Sequence, residues 1–164
     1  MRGPRRRAAA ATITPRTFAF LRDLTLHNDR LWFEANKDRY LLEVRDPLLR
    51  FVAAFGPRLA KISANMVADP RPVGGSLFRI YRDTRFSKDK TPYKEHVACH
   101  FRHMSGKDAH APGFYVHLEP TDVFFGGGIW HAPNPVLTEI RQAIVDDPAR
   151  WKSATRKRSF VDRF

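Results

Sequence analysis

Cysteine is all but missing from this sequence: among 164 residues only Cys99 carries a thiol. A single cysteine excludes an intramolecular disulfide and any thiolate zinc cage, and it points to a reducing, cytoplasmic setting. Long apolar runs are missing as well. Nothing approaches the roughly 18 residues of a membrane span. The opening Met1-Arg2-Gly3-Pro4-Arg5-Arg6-Arg7 is followed by alanines and lacks the apolar stretch of a secretory signal. There is no Gly-x-x-x-x-Gly-Lys-Ser/Thr loop, no Gly-x-Gly-x-x-Gly fingerprint and no nucleophile elbow, so the common nucleotide-binding folds find no support. No internal repeat is visible.

What is present suffices for one folded core. Hydrophobic residues make up 43% of the chain and thirteen are phenylalanine, which excludes global disorder. Acidic residues are the scarcer sign: 17 against 29 Lys and Arg, for a net charge of +12. The excess is localised. Residues 1–13 contribute +4, residues 79–94 +4 and residues 150–164 +5, and the remainder of the chain nets −1. Terminal charge often only solubilises, whereas an internal cluster must be tolerated by the fold. Residues 1–13 read as a basic, disordered arm and residues 14–164 as a single domain.

Four pairs mark helix starts, each placing a capping side chain before a proline whose missing N–H is harmless at the first helical position: Thr14-Pro15, Asp46-Pro47, Asn134-Pro135 and Asp147-Pro148. Another helix is expected after Asn28, with Trp32, Phe33, Tyr40 and Val44 inward. The helix after Pro47 carries Leu48, Phe51, Val52, Phe55, Leu59 and Ile62 at helical spacing, and Gly56-Pro57 is expected to kink or split it. Beyond the Pro/Gly-rich residues 69–75 the period changes to two. Residues 77–82, 96–102, 114–119 and 123–125 read as about four antiparallel strands. Helices resume at Pro135, with Leu137, Ile140 and Ile144 inward. Helices, then strands, then helices specify an α+β fold.

The basic segment 79–94 joins two of the expected strands. Arg79, Arg82, Arg85, Lys88 and Lys94 offer donors that match phosphate or carboxylate oxygens. Thr84, Ser87 and Thr91 add hydroxyls, Asp83 and Asp89 can orient the bases, and Phe86 and Tyr93 can anchor the loop or stack on a ring. Arg79 and Arg82 fall on opposite faces of a strand pattern, so one of them should meet a covered face, where an unpaired charge is destabilising. The competing reading is an ion-pair network that leaves no donor vacant.

The run Arg82-Asp83-Thr84-Arg85-Phe86-Ser87-Lys88-Asp89-Lys90-Thr91-Pro92-Tyr93-Lys94 resembles the signature of the domain-of-unknown-function family 2461. So do Phe18-x-Phe20-Leu21-x-x-Leu24 with Asn28-Asp29-Arg30-x-Trp32-Phe33-x-x-Asn36-Lys37-x-x-Tyr40, and Gly113-Phe114-Tyr115-Val116-His117-Leu118 with Gly126-Gly127-Gly128-x-Trp130. The resemblance implies a single soluble domain and brings no activity, substrate or cofactor with it. Members of that family continue past the point where this chain ends at Ser159-Phe160-Val161-Asp162-Arg163-Phe164, so the resemblance implies a domain incomplete at its C-terminus.

Other constellations are weighed against plainer readings. Trp32 and Asn36 share a helical face; Trp32 reads as core packing, and Asn36 is a candidate for polar contact with a ligand. Gly126-Gly127-Gly128 reads as a glycine turn ending a strand, with an anion-binding nest as the alternative. His96, His100 and His103 would converge on a helix, but the alternation makes them strand residues, and in a strand His96 and His100 stand about 13 Å apart. No metal site is expected. His117 shares a strand face with Tyr115 and is a general-base candidate, against a half-buried structural histidine.

These readings predict a site for an anionic small molecule, formed by Arg79, Arg82, Asp83, Arg85, Ser87, Lys88, Asp89 and Lys94 with Asn36 and Tyr115. No cofactor or reaction is specified. The alternatives are a nucleic-acid-binding module, on the strength of the basic termini, and a purely structural ion-pair loop. No membrane partner is expected.

Overall fold

The computed structural model describes residues 13–106 and 110–163. They divide into two compact units, one ending at Gly128 and the other beginning at Ile129. The basic arm expected over residues 1–13 lies almost wholly outside the described residues.

The first unit begins with α1 (Pro15–Leu26), which starts at Thr14-Pro15 as expected, although the Thr14 side chain makes no capping bond. Helix α2 (Arg30–Ala35) is capped by Asp29, whose carboxylate accepts from the Trp32 N–H at 2.9 Å. A single turn, α3 (Lys37–Arg39), leads into a π-helical stretch, Tyr40–Arg45, and then α4 (Asp46–Ile62). Asp46-Pro47 is therefore not a helix start, because the chain is already helical there. Pro47 offers no N–H and crowds the carbonyl four residues back; just ahead of it the ladder slips to the wider π spacing. The carbonyl that an α-turn would pair with residue 47 belongs to Glu43. It accepts from the buried Thr17 hydroxyl of α1 at 2.6 Å. Nor does Gly56-Pro57 split α4, which runs on to Ile62.

Among the described residues three strands, not four, form the sheet: β1 (Val97–Arg102), β2 (Gly113–Leu118) and β3 (Val123–Gly128), an antiparallel meander in that order. Residues 77–82 make only isolated bridges, Leu77 with Cys99 and Tyr81 with Tyr93. Phe78 N–H bonds to Ala98 on the free edge of β1, and His100 N–H bonds to Ser76 just before the segment. The Ile80 carbonyl is then taken by Lys94, just upstream of β1, and Pro92 cannot donate to prolong the Tyr81–Tyr93 pairing. The three glycines are not a turn. They lie within β3, paired with Tyr115, Phe114 and Gly113.

The helices cover one face of the sheet. Phe20, Leu21, Leu24, Phe33, Val44, Leu48, Val52 and Leu59 pack with Val97, Cys99, Phe101 and Leu118 in one core. Each such side chain contributes about 1.5–3 kcal/mol by leaving water. Ile62, at the end of the apolar stripe of α4, is exposed.

The second unit consists of α5 (Asn134–Asp146), α6 (Pro148–Thr155) and α7 (Arg158–Val161). Asp147 caps α6 by accepting from Arg150 at 2.9 Å. None of the described residues of these helices is buried; of the row expected inward, Leu137 and Ile144 are half-buried and Ile140 is exposed. Three short helices enclose too little volume for a core. No helix among the described residues is long and apolar enough to cross a membrane.

Candidate functional site

The basic segment folds back as a loop closed at its base by the Tyr81–Tyr93 bridge, with Arg82 N–H bonded to Pro92 and Lys94 N–H to Ile80. Asn28, in the α1–α2 linker, clamps that base. Its amide accepts from the Tyr93 N–H at 3.1 Å, donates to the Tyr93 carbonyl at 3.0 Å and donates to Glu95 at 3.0 Å. Phe33 of α2 stacks on Tyr93, ring centroids 4.0 Å apart. These contacts set α2 against the loop and leave a recess of about 280 Å³, lined by Arg30, Glu34, Tyr81, Arg82, Thr84, Pro92 and Tyr93. Arg30 and Glu34 line it together because residues four apart share a helical face.

Only part of the expected ligand set converges here. Arg82 is the arginine that meets a covered surface; its side chain is 30% exposed and donates through Nη1 to Asp89 and to the Thr91 hydroxyl. Its Nε and Nη2 make no hydrogen bond among the described residues. Arg79 is exposed and contributes its carbonyl, which accepts from Lys94 Nζ at 3.0 Å. Lys94 also lies over the Phe78 ring, and burial, then Arg79, holds its ammonium pKa below the ordinary value. Arg85 pairs with Asp83 at 2.7 Å and lies over Phe86, which is itself in solvent. Ser87 uses its N–H in a turn to Thr84, and Lys88 is exposed.

Both loop aspartates are thus committed to loop arginines. The Arg85 guanidinium brings Asp83 down to about 2. The Thr91 N–H, with Arg82 and the Thr91 hydroxyl behind it, brings Asp89 down to about 2.

Asn36 and Tyr115 lie elsewhere. The Asn36 amide donates to the Trp32 carbonyl at 2.9 Å and accepts from Arg39, closing α2 locally. Tyr115 is on the sheet face opposite the core. In the β1–β2 register it pairs with His100, and His117 pairs with Ala98. The Tyr115 hydroxyl meets His117 Nδ1 at 3.2 Å, and His117 Nε2 meets Glu119 at 3.2 Å. His96, diagonal to His117 across the strands, stacks on it with ring centroids 4.5 Å apart. Burial, reinforced by His117 and Lys94, lowers the His96 pKa. Gly113 makes room for His100 on this face, since a Cβ there would lie 2.4 Å from His100 Nε2.

Reading along the chain misses Asn28 as the clamp and Arg30 and Glu34 as walls, and it misses the grouping of His96, His117 and Glu119. The first three fell inside an apparently ordinary helix start. For the last, His117-x-Glu119 on a strand was a legible signal, because alternate strand residues share a face; the partner 21 residues upstream was not.

A family model described as "Conserved hypothetical protein (DUF2461)" matches residues 16–164. No curated protein and no solved structure matches the chain.

Proposed function

The chain belongs to the DUF2461 family, and on that footing we propose that it binds a small ligand carrying a phosphate or carboxylate in the recess between α2 and the basic loop. The observation that carries this reading is a pair of guanidinium groups, Arg30 and Arg82, lining one concave surface with donors in hand. Arg30 makes no ion pair and no side-chain hydrogen bond among the described residues, and Arg82 has two nitrogens uncommitted. Guanidinium forks are suited to bidentate recognition of oxyanions. Tyr81 and Tyr93 supply flat walls for the ligand's body, and Thr84 adds a polar contact. Glu34, already paired with Lys37 at 3.0 Å, suits a donor on the same ligand.

A second reading, a structural ion-pair loop without a ligand, is favoured by the Asp83–Arg85 and Arg82–Asp89 pairs. Thermal unfolding separates the two. Inorganic phosphate, then sugar phosphates, nucleotides and dicarboxylates, are titrated against the full chain. A ligand at a hundred times its Kd adds about 2.7 kcal/mol, and Tm rises by about 2–4 °C for each kcal/mol in a chain of this size. Arg30→Ala, which disturbs no loop pair, should abolish the shift, as should Arg82→Ala, while Lys88→Ala should retain it. No shift with any anion, or a shift that survives Arg30→Ala together with Arg82→Ala, leaves the ion-pair reading standing. A salt-steep affinity for polynucleotides that ignores both substitutions would instead mark non-specific nucleic-acid binding.

A further inference from the structure

We propose that His96, His117 and Glu119 form a binding site for one divalent first-row transition ion on the sheet face opposite the core. This goes beyond the anion recess and shares no residue with it. The sequence expectation of no metal site came from following histidines along one strand; the proposal arises between strands.

The geometry carries it. One ligand atom from each of the three side chains lies within 4.8 Å of the other two. Bonds of about 2.0–2.1 Å to zinc put tetrahedral ligands about 3.3 Å apart, and His117 Nε2 already stands 3.2 Å from Glu119 Oε2. Bringing the His96 ring nitrogen from within 4.8 Å to that spacing completes the set. The strands fix the donors. His117 and Glu119 are two apart on one strand, so they share a face, and Glu119 is held by the turn into β3 through mutual backbone bonds with Asp122. Ala98, opposite His117, leaves the diagonal open to His96.

The surroundings resemble those of a ligand set more than those of a chance pair. His117 is buried and held between two rings, His96 on one side and Phe124 on the other, the latter stacked at 4.8 Å and 13°. Its second nitrogen, Nδ1, is engaged by the Tyr115 hydroxyl. Metal-bound histidines characteristically have the other nitrogen so occupied, which fixes tautomer and ring orientation. Two imidazoles and one carboxylate suit zinc, iron, nickel or copper rather than magnesium or calcium. Three protein ligands leave at least one position for water or another molecule, the arrangement of a reactive rather than a purely structural ion.

The test is calorimetric titration of the chelator-treated 164-residue chain with Zn²⁺, and visible spectroscopy with Co²⁺. Expected are one ion per chain and ligand-field bands of a low-coordinate nitrogen and oxygen site. His96→Ala and the near-isosteric Glu119→Gln should each weaken binding by at least about tenfold, and Tyr115→Phe by about tenfold through loss of orientation. His100→Ala, on the same face but outside the cluster, should bind as the parent does. Circular dichroism establishes that each variant is folded. Absence of binding to the parent protein, or binding that His96→Ala and Glu119→Gln leave intact, overturns the proposal. Arg30→Ala should leave metal binding untouched, so failure here and failure of the anion reading are separate results.

Discussion

Replacing Thr17 by valine keeps the shape of a fully buried side chain and removes one hydroxyl. In the native structure that hydroxyl donates to the Glu43 carbonyl at 2.6 Å. Pro47, the residue an α-turn would pair with that carbonyl, has no N–H, so the hydroxyl supplies a donor where the proline removes one. A part-buried acceptor that loses its donor costs about 1–3 kcal/mol, worth roughly 2–4 °C of Tm per kcal/mol. Urea unfolding of Thr17→Val should show that loss as a lower midpoint with unchanged slope. The decisive measurement is a double-mutant cycle with Pro47→Ala, which restores an N–H at position 47. Thr17→Val should then be milder by about 0.5–3 kcal/mol, the range typical of residues that share a partner. If Thr17→Val costs nothing, or costs the same with proline or alanine at 47, the hydroxyl is not compensating for the proline and this account of the α1–α4 packing fails.

Acid should loosen the basic loop first. Asp83 and Asp89 sit at about 2 in the folded protein against an ordinary 3.8. Their contribution is therefore present above pH ~4 and is lost as pH falls from there through about 2; Tm measured over that window should fall less steeply in an Asp83→Asn/Asp89→Asn variant. Burial pushes the Cys99 thiol up to about 12, so a thiol reagent near neutral pH should react only as denaturant unfolds the protein, and rapid labelling of the native state would contradict the buried position of β1. Asn28→Ala strips Tyr93 of both its backbone partners and should destabilise by about 1–3 kcal/mol. By hydrogen exchange, residues 81–93 should open while the β2–β3 hairpin remains protected; uniform loosening would show that Asn28 does not act as the loop's clamp.

Much of the architecture was legible because it is written locally. The change of period after residue 75 separated helices from strands, and the Asp147-Pro148 start with its cap is a property of neighbours. Alternation placed Val97, Cys99 and Phe101 together on one face, and the core followed. Where local signals were ambiguous, the expectation went astray. Asp46-Pro47 looked like a start but lies in a continuous helix, since a π-turn and a hydroxyl 26 residues away absorb what the proline removes. Residues 77–82 alternate like a strand, yet their backbone bonds are divided between the edge of β1 and the chain's own return at Tyr93.

The site is a sharper case. Composition alone established a dense positive segment at 79–94, together with the residue types able to hold an oxyanion. It could not say which cations remain available, because Arg82 and Arg85 each have two aspartates in reach along the chain, and only folded geometry chooses the pairs. Arg30 joins Arg82 because Asn28 grips Tyr93 across 65 residues, and His96 meets His117 and Glu119 because β1 and β2 pair in one register. Caps and periodicities act within a few residues and survive in the sequence. Contacts across a recess or between strands depend on how distant segments pack, which no single segment encodes.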